Sequence, residues 1–83
     1  MVKTLRLESY NDIYYVGHYF REGLAVVMDL TALTDADAVP LVDFAAGLIV
    51  GRGGFMERIA PKIFLLRPPE AVDVRVNMEP APA

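Results

Sequence analysis

The 83-residue sequence predicts an α/β fold of the α+β sandwich type, in which a small mixed sheet of about five strands packs on two helices. Three observations predict it. Short apolar or alternating segments are interleaved with segments of helical spacing, in the order β-α-β-α-β-β-β. The second helix has almost no polar face, so it must be covered on every side. A chain this small has too little material to cover such a helix alone, and we therefore predict a homodimer.

The first strand and the first helix follow from residue spacing. Leu5 and Leu7 alternate with polar residues, which is typical of a half-buried strand. Ser9 and Asp12 are spaced as in a capping box, so we expect a helix to begin there and to end at Gly23. The apolar positions of this helix recur on one face, at Ile13, Val16, Gly17 and Phe20.

A second strand is predicted over 24–30, where apolar residues run almost without interruption. Such a run after a helix is expected of a strand that is buried on both faces. A strand, a helix and a strand of these lengths predict a right-handed crossover, with the two strands parallel. Asp29 is the charged residue of the run, and its place near the end of the strand favours capping of the next loop or contact with solvent over a role in catalysis.

The second helix has two possible starts. Thr34 and Asp37 match another capping box, but a helix capped by Thr34 contains Pro40, which removes a backbone hydrogen bond and should kink the helix. With Asp37 as the cap, Pro40 lies in the first turn, where its missing N–H costs nothing. We expect a loose first turn and a regular helix from about Ala38 to Ile49.

Two apolar stripes run along the second helix. Val39, Val42, Ala46 and Ile49 form one stripe, and Leu41, Phe44, Ala45 and Leu48 form the other. We expect one stripe to lie on the sheet and the other to meet a partner.

Glycines stop this helix and open a flexible turn, at Gly51, Gly53 and Gly54. The segment is not a phosphate-binding loop, because it lacks the Gly-Lys-Ser/Thr ending and leads from a helix into a strand. Alternation over 55–67, interrupted at Ala60-Pro61, predicts a hairpin.

The C-terminal part of the chain predicts one more strand and a tail. Valines alternate with polar residues over 72–76, which indicates a short strand at a sheet edge. The final residues are rich in proline and alanine. We therefore expect a core domain at 1–77 and a disordered Pro/Ala tail at 78–83.

Composition excludes several classes of function. The chain has no cysteine, so we expect no disulfide framework and no thiolate metal site, and no ligand cluster predicts a metal or a cofactor. The basic residues are scattered and the net charge is −3, so we expect no nucleic-acid partner. No apolar run reaches the roughly 20 residues that span a bilayer, and we expect a cytoplasmic location.

The sequence also lacks catalytic groupings and predicts a protein that is not an enzyme. His18 is the one histidine, and no nucleophile is suitably spaced around it. A small ligand-binding or enzymatic domain that uses Asp29, Asp43 and His18 is an alternative, and it requires a deep polar pocket at these residues. Asp43 has two further interpretations, a rim position facing solvent or a polar contact that fixes the register of two packed helices.

Several segments taken together resemble the core domain of the SepF family of cell-division proteins. The order of elements is shared, and the resemblance covers roughly residues 3 to 76. It is carried by the run Ala25-Val26-Val27-Met28-Asp29-Leu30, by Val42-Asp43-Phe44-Ala45-Ala46-Gly47, by the glycine turn, by Lys62-Ile63-Phe64-Leu65-Leu66-Arg67-Pro68 and by Val72-Asp73-Val74.

The resemblance implies a homodimer, possibly forming higher polymers, that binds the C-terminal tail of the tubulin-like division protein FtsZ at the division septum. It places tail binding on Arg58, a basic residue of the first hairpin strand, and on Phe64, an aromatic residue of the second. It places the dimer interface on the second helix, around Val42, Asp43 and Phe44. The small residues there would let a partner come close, so we predict an interface formed by Val42, Asp43, Phe44, Ala45, Ala46 and Leu48. Alternation alone does not prove that Arg58 and Phe64 share a face, and without the resemblance Phe64 would be read as a core residue and Arg58 as a solvated charge.

Relatives carry an N-terminal amphipathic helix that tethers them to the membrane. Here Met-Val-Lys directly precedes the first strand, so we expect either a truncated core or a short paralogue, without direct membrane contact. Two residues depart from the family pattern. Ala60-Pro61 replaces a small polar or glycine turn, and Pro40 stands where relatives carry a long basic residue. A self-assembling module that regulates a full-length paralogue without binding FtsZ is a further alternative.

Overall fold

The computed structural model describes residues 2–69 and gives them two α-helices and four strands. The elements are β1 (Val2–Arg6), a 3-10 turn (Tyr10–Asp12), α1 (Ile13–Arg21), β2 (Ala25–Asp29), α2 (Asp35–Arg52), β3 (Phe55–Ala60) and β4 (Ile63–Arg67). The predicted α+β fold is confirmed. The predicted last strand at 72–76 and the tail at 78–83 lie outside the described residues.

The strands form one mixed sheet in the order β1-β2-β4-β3. β1 is parallel to β2, as the crossover through α1 predicts, whereas β4 is antiparallel to both β2 and β3. The predicted hairpin is therefore β3 and β4, and the apolar strand β2 lies in the middle of the sheet, between β1 and β4. A central position explains why β2 is the most buried strand. The predicted burial on both faces is only partial, because Val27 and Asp29 remain partly exposed.

One face of the sheet carries the core. Alternate residues of the central strands are buried there, and both helices contribute side chains to the same cluster. The fully buried side chains of this cluster include Val16, Phe20, Val26, Met28, Leu41 and Leu66. The transfer of each such side chain out of water contributes roughly 1.5–3 kcal/mol to stability. The opposite face holds partly exposed residues such as Val27 and Leu65, and neither helix covers it.

The predicted apolar face of the first helix is confirmed, because Ile13, Val16, Gly17 and Phe20 are its buried residues. Its predicted start is wrong in detail. Ser9 makes no side-chain cap; instead Asp12 Oδ2 accepts a hydrogen bond from the Glu8 N–H at 2.9 Å. The backbone tightens into the 3-10 turn before α1 begins, with the Asp12 N–H bonded to the Ser9 carbonyl at 3.1 Å. Gly23, at φ +89°, ends the helix as predicted.

The second helix is longer than the regular helix predicted from Ala38 to Ile49. Thr34 caps it, and its Oγ1 accepts a hydrogen bond from the Asp37 N–H at 3.1 Å. The Ala38 N–H bonds to the Thr34 carbonyl at 2.9 Å, so the first turn is closed and Pro40 lies inside the helix. A proline there removes one N–H donor, and the capped first turn on one side and the core contacts on the other hold the helix together.

The turn from α2 into the hairpin requires glycine. Gly53 and Gly54 have φ of +93° and +116°, a region that other residues rarely adopt. A side chain at Gly54 would also collide with the carbonyl oxygen of Arg67. The two glycines therefore allow β3 to begin directly beside the end of β4.

Asp29 caps the loop that follows β2, which is one of the two roles that the sequence leaves open. Its Oδ1 accepts hydrogen bonds from the Thr31 hydroxyl at 2.7 Å and from the Thr31 N–H at 2.9 Å. These two bonds, assisted by the charge of Arg6 and opposed by slight burial, lower the pKa of Asp29 below its ordinary value of 3.8. The carboxylate thus contributes stability above that ordinary value, and the contribution is lost as the pH falls through the lower pKa of the folded state.

We expect Thr31→Val to lower the free energy of unfolding by about 1 kcal/mol at neutral pH, because it removes the hydroxyl bond. The deficit should shrink as the pH falls below 3.8, because the unfolded chain then takes up a proton that the hydroxyl bond disfavours in the folded wild type. Urea denaturation of both chains at neutral pH and at about pH 3 measures the difference. A deficit that stays constant across this range would contradict the assigned role of the ionised carboxylate.

Candidate functional site

A groove of about 370 Å³ lies between the first half of α2 and the β3–β4 hairpin. Its walls and floor are mostly apolar, with a few charged side chains, as is usual for ligand sites. The groove is lined from α2 by Asp35, Ala38, Val39, Val42 and Asp43, from the hairpin by Arg58, Pro61, Lys62 and Phe64, and by Leu30 directly after β2. The groove is the candidate functional site, because it contains both residues to which the resemblance assigns partner binding.

Arg58 and Phe64 share a face of the sheet. They are directly opposite each other in the antiparallel pairing of β3 and β4, so their side chains point the same way. The Arg58 guanidinium carbon lies 5.3 Å from the centroid of the Phe64 ring, within the range of a cation–π contact. The pairing register thus shows that the two side chains share a face of the sheet, which the alternation of the sequence alone does not prove.

Phe64 is also a core residue. Only 6% of its surface is exposed, and it packs with the buried cluster beneath the helices. It therefore forms a floor under the groove, whereas the exposed Arg58 stands at the rim. Replacing Phe64 with alanine would cost about 3–5 kcal/mol of stability, so a binding test is better made on Arg58.

Lys62 closes one end of the groove, and sequence reasoning missed this role. Its Nζ donates a hydrogen bond to the Leu33 carbonyl at 2.6 Å and lies 3.1 Å from Asp35 Oδ1. The hairpin turn is thereby joined to the loop before α2. No local spacing rule connects a lysine after a turn with an aspartate in the first turn of a distant helix, so only the folded structure reveals the contact.

We expect Lys62→Met to lower the free energy of unfolding by about 1–2 kcal/mol, because it removes both contacts and leaves the Leu33 carbonyl without its donor. Asp35→Asn should cost less, since its carboxylate is exposed and the carbonyl bond remains. Urea denaturation of the two variants tests this order. If Asp35→Asn costs as much as Lys62→Met, the ion pair rather than the carbonyl bond closes the groove.

The side of α2 that faces away from the sheet is open and largely apolar. Val39 is 56% exposed and Val50 is 87% exposed. Gly47 and Gly51 present bare backbone there, and a Cβ added to either would meet nothing within 4 Å. Among residues 2–69, α1 borders this surface through Arg21, which lines a depression with Gly47 and Gly51. We call this surface the open face of α2. Val39 also lines the groove, so the open face and the groove adjoin.

The predicted dimer residues occupy different environments. Asp43 and Ala46 are exposed, and Val42, Phe44 and Leu48 are half-buried beside the core. Ala45 is fully buried within its own subunit. It belongs to the stripe that lies on the sheet, together with Leu41, and is not available on the surface. Asp43 lies on the rim of the groove.

The structure does not bring Asp29, Asp43 and His18 together in a polar pocket. His18 Nε2 lies 3.4 Å from Glu22 Oε2 on α1, and Asp29 is bonded to Thr31. Asp43 lines the groove, to which neither of the others contributes. Within the described region no cluster of metal-ligating side chains occurs. Neither described helix combines the length and hydropathy needed to cross a membrane.

Comparison with known proteins identifies the family. The model of the family described as cell division protein SepF matches residues 2–74. The chain belongs to the SepF family. It is 51% identical to cell division protein SepF of Thermobifida fusca over 67 residues, and 54% identical to that of Acidothermus cellulolyticus over the same length. These alignments cover 81% of this chain but 39% and 38% of the relatives. The chain thus spans about two fifths of the length of the curated relatives that it matches.

Solved SepF-like structures share the fold. A SepF-like protein from Archaeoglobus fulgidus superposes with a TM-score of 0.75 over 81% of this chain and 83% of its own, at 12% identity, which shows the fold alone. A SepF-like protein from Pyrococcus furiosus gives 0.66 at 25% identity, over 84% and 88% of the two chains. The family of this chain and the names of its relatives support a role in cell division.

Proposed function

We propose that this SepF core is a non-enzymatic adaptor of cell division that binds the C-terminal tail of FtsZ in the groove between α2 and the hairpin. The observation that carries the proposal is the pairing of Arg58 with Phe64 on one face of the hairpin, at the wall and floor of that groove. The resemblance assigns tail binding to these two residues, and their geometry suits an acidic peptide with apolar side chains.

The chemistry of the groove supports this ligand. The guanidinium group of Arg58 is exposed, and within residues 2–69 it stacks on Phe64 without a carboxylate partner. It can therefore make charge-assisted hydrogen bonds with a peptide carboxylate. Val39 and Val42 form the wall from α2, where apolar side chains of the peptide would leave water. Stacking holds the guanidinium in place before the peptide arrives, which lowers the entropy cost of binding.

A second copy of the chain is the proposed cover for the open face of α2. A surface that exposes Val39 and Val50 loses unfavourable contact with water when two copies pack together, and the bare backbone at Gly47 and Gly51 allows close approach. In a twofold dimer the same patch of each subunit meets its counterpart. Because Val39 belongs to both surfaces, the second subunit would stand beside the groove and extend its wall.

A dimer with two grooves accounts for a role in organising filaments. Each subunit would hold one tail, so one dimer joins two FtsZ molecules of the same or of neighbouring filaments, and the second attachment benefits from the high effective concentration created by the first. We therefore place the protein at the division septum, where it links FtsZ filaments or bundles them.

Calorimetric titration of the chain with a synthetic FtsZ C-terminal peptide tests the proposal. We expect saturable binding with one peptide per subunit, and no binding of a peptide with the same composition in scrambled order. The absence of heat from the native peptide at high micromolar concentration would overturn the proposed function.

A second candidate function is a self-assembling module that regulates a longer SepF through mixed dimers. The open face of α2 favours it, since such a surface can pair with the same surface of a relative. Co-purification with a full-length SepF, together with failure to bind the FtsZ peptide, would support this function over the first.

A further inference from the structure

Four charged residues line the groove, and the structure leaves two of them for a ligand. Lys62 and Asp35 form an ion pair at 3.1 Å, and Lys62 also donates to the Leu33 carbonyl. Arg58 is stacked on Phe64 at the rim. Asp43, exposed on the α2 wall, makes no ion pair or hydrogen bond within the described part of the chain. The Arg58 cation on the hairpin side and the Asp43 carboxylate on the α2 side, neither of them in an ion pair within residues 2–69, thus border a largely apolar floor.

We propose that the groove recognises a peptide segment carrying both an acidic and a basic side chain around apolar residues, with Asp43 binding the basic one. Arg58 takes the carboxylate, as in the proposed function on which this inference rests. Asp43 then determines specificity, because it favours a cationic side chain and repels a second carboxylate. A peptide that is acidic throughout would satisfy Arg58 but would place like charges together at the α2 wall.

The position of Asp43 in the sequence agrees with this role. It interrupts an otherwise apolar part of α2, between Val42 and Phe44, and an aspartate there contributes nothing to packing. The other acidic residues of α2, Asp35 and Asp37, lie in its first turn, where carboxylates favour the helix dipole. Asp43 lies too far along the helix for that explanation.

Two synthetic peptides test the inference on the intact chain. Both contain an aspartate and the same apolar segment, and one carries a lysine where the other carries a glutamine. We expect the wild-type chain to bind the lysine peptide about threefold more tightly, as one partly exposed ion pair would give. Asp43→Asn should remove this preference without changing the affinity for the glutamine peptide. Asp43→Lys should reverse the preference.

Asp37→Asn is the matched control, because it removes the same charge from the same helix at a residue that does not line the groove. It should keep the preference. If Asp43→Asn also keeps the preference for the lysine peptide, the inference is overturned. If that variant keeps the preference and also weakens self-association, Asp43 fixes the register of two packed helices instead. If neither peptide binds the wild-type chain although the FtsZ tail peptide does, the inference is overturned and the proposed function stands; if none of the three binds, both fail. Binding that depends on Arg58 but not on Asp43 overturns the inference alone.

Discussion

The Arg58→Glu chain is expected to bind the FtsZ tail peptide at least about tenfold more weakly than the wild type. The substitution removes a charge-assisted hydrogen-bond donor and places a carboxylate against the acidic peptide. Arg58 is exposed on β3, the outer strand of the sheet formed by residues 2–69, so its loss costs the fold little beyond the contact with the Phe64 ring. Titration calorimetry measures the affinity, and thermal unfolding shows that the domain remains folded.

Two matched variants make the Arg58 result specific. Arg58→Gln removes the charge without reversing it and should give an intermediate affinity. Arg6→Glu makes the same charge reversal on an exposed arginine of β1 that does not line the groove, and it should leave the affinity nearly unchanged. Equal losses from Arg6→Glu and Arg58→Glu would mean that general electrostatic attraction, rather than the groove, accounts for binding.

The Val50→Glu chain is expected to be monomeric at concentrations where the wild type is a dimer, with dimer affinity lowered by about a hundredfold or more. Val50 is 87% exposed in the single subunit, so glutamate there is tolerated by the fold. In a twofold interface each substitution occurs twice, and two carboxylates would lose their hydration without a partner. Sedimentation velocity across a concentration series measures the change.

Val2→Glu is the control for the open face of α2, because Val2 is an exposed valine on β1. It should leave the dimer intact. A Val50→Glu chain that still sediments as a dimer would move the interface to another surface, such as the sheet face that the helices leave uncovered. A wild-type chain that is monomeric at every concentration would contradict the proposed dimer.

Features governed by local spacing were predicted well from the sequence. The four buried residues of α1 follow from helical periodicity, and the central position of β2 follows from its apolar run. The hairpin and the parallel crossover follow from segment length and from the turn at Ala60-Pro61. Each of these depends on residues close together in the chain, where periodicity and turn chemistry carry the information.

Features that depend on distant residues were not predicted. The bonds of Lys62 to the loop before α2 join segments with no shared pattern. Ala45 is predicted at the dimer interface because a small residue allows a partner to come close, but the packing of α2 on the sheet buries it within its own subunit. The early start of α2 was missed because the penalty for Pro40 was weighted above the Thr34 cap, whereas the cap and the closed first turn outweigh a single missing donor.

Chemical-shift mapping of the isotope-labelled chain during titration with the FtsZ tail peptide tests the central claim most directly. We predict saturable shifts at the backbone amides of Val42, Asp43, Arg58 and Phe64, on the two sides of the groove. Shifts confined to α1 or to the uncovered face of the sheet, or no shifts at high micromolar peptide, would contradict the assignment of the groove as the binding site.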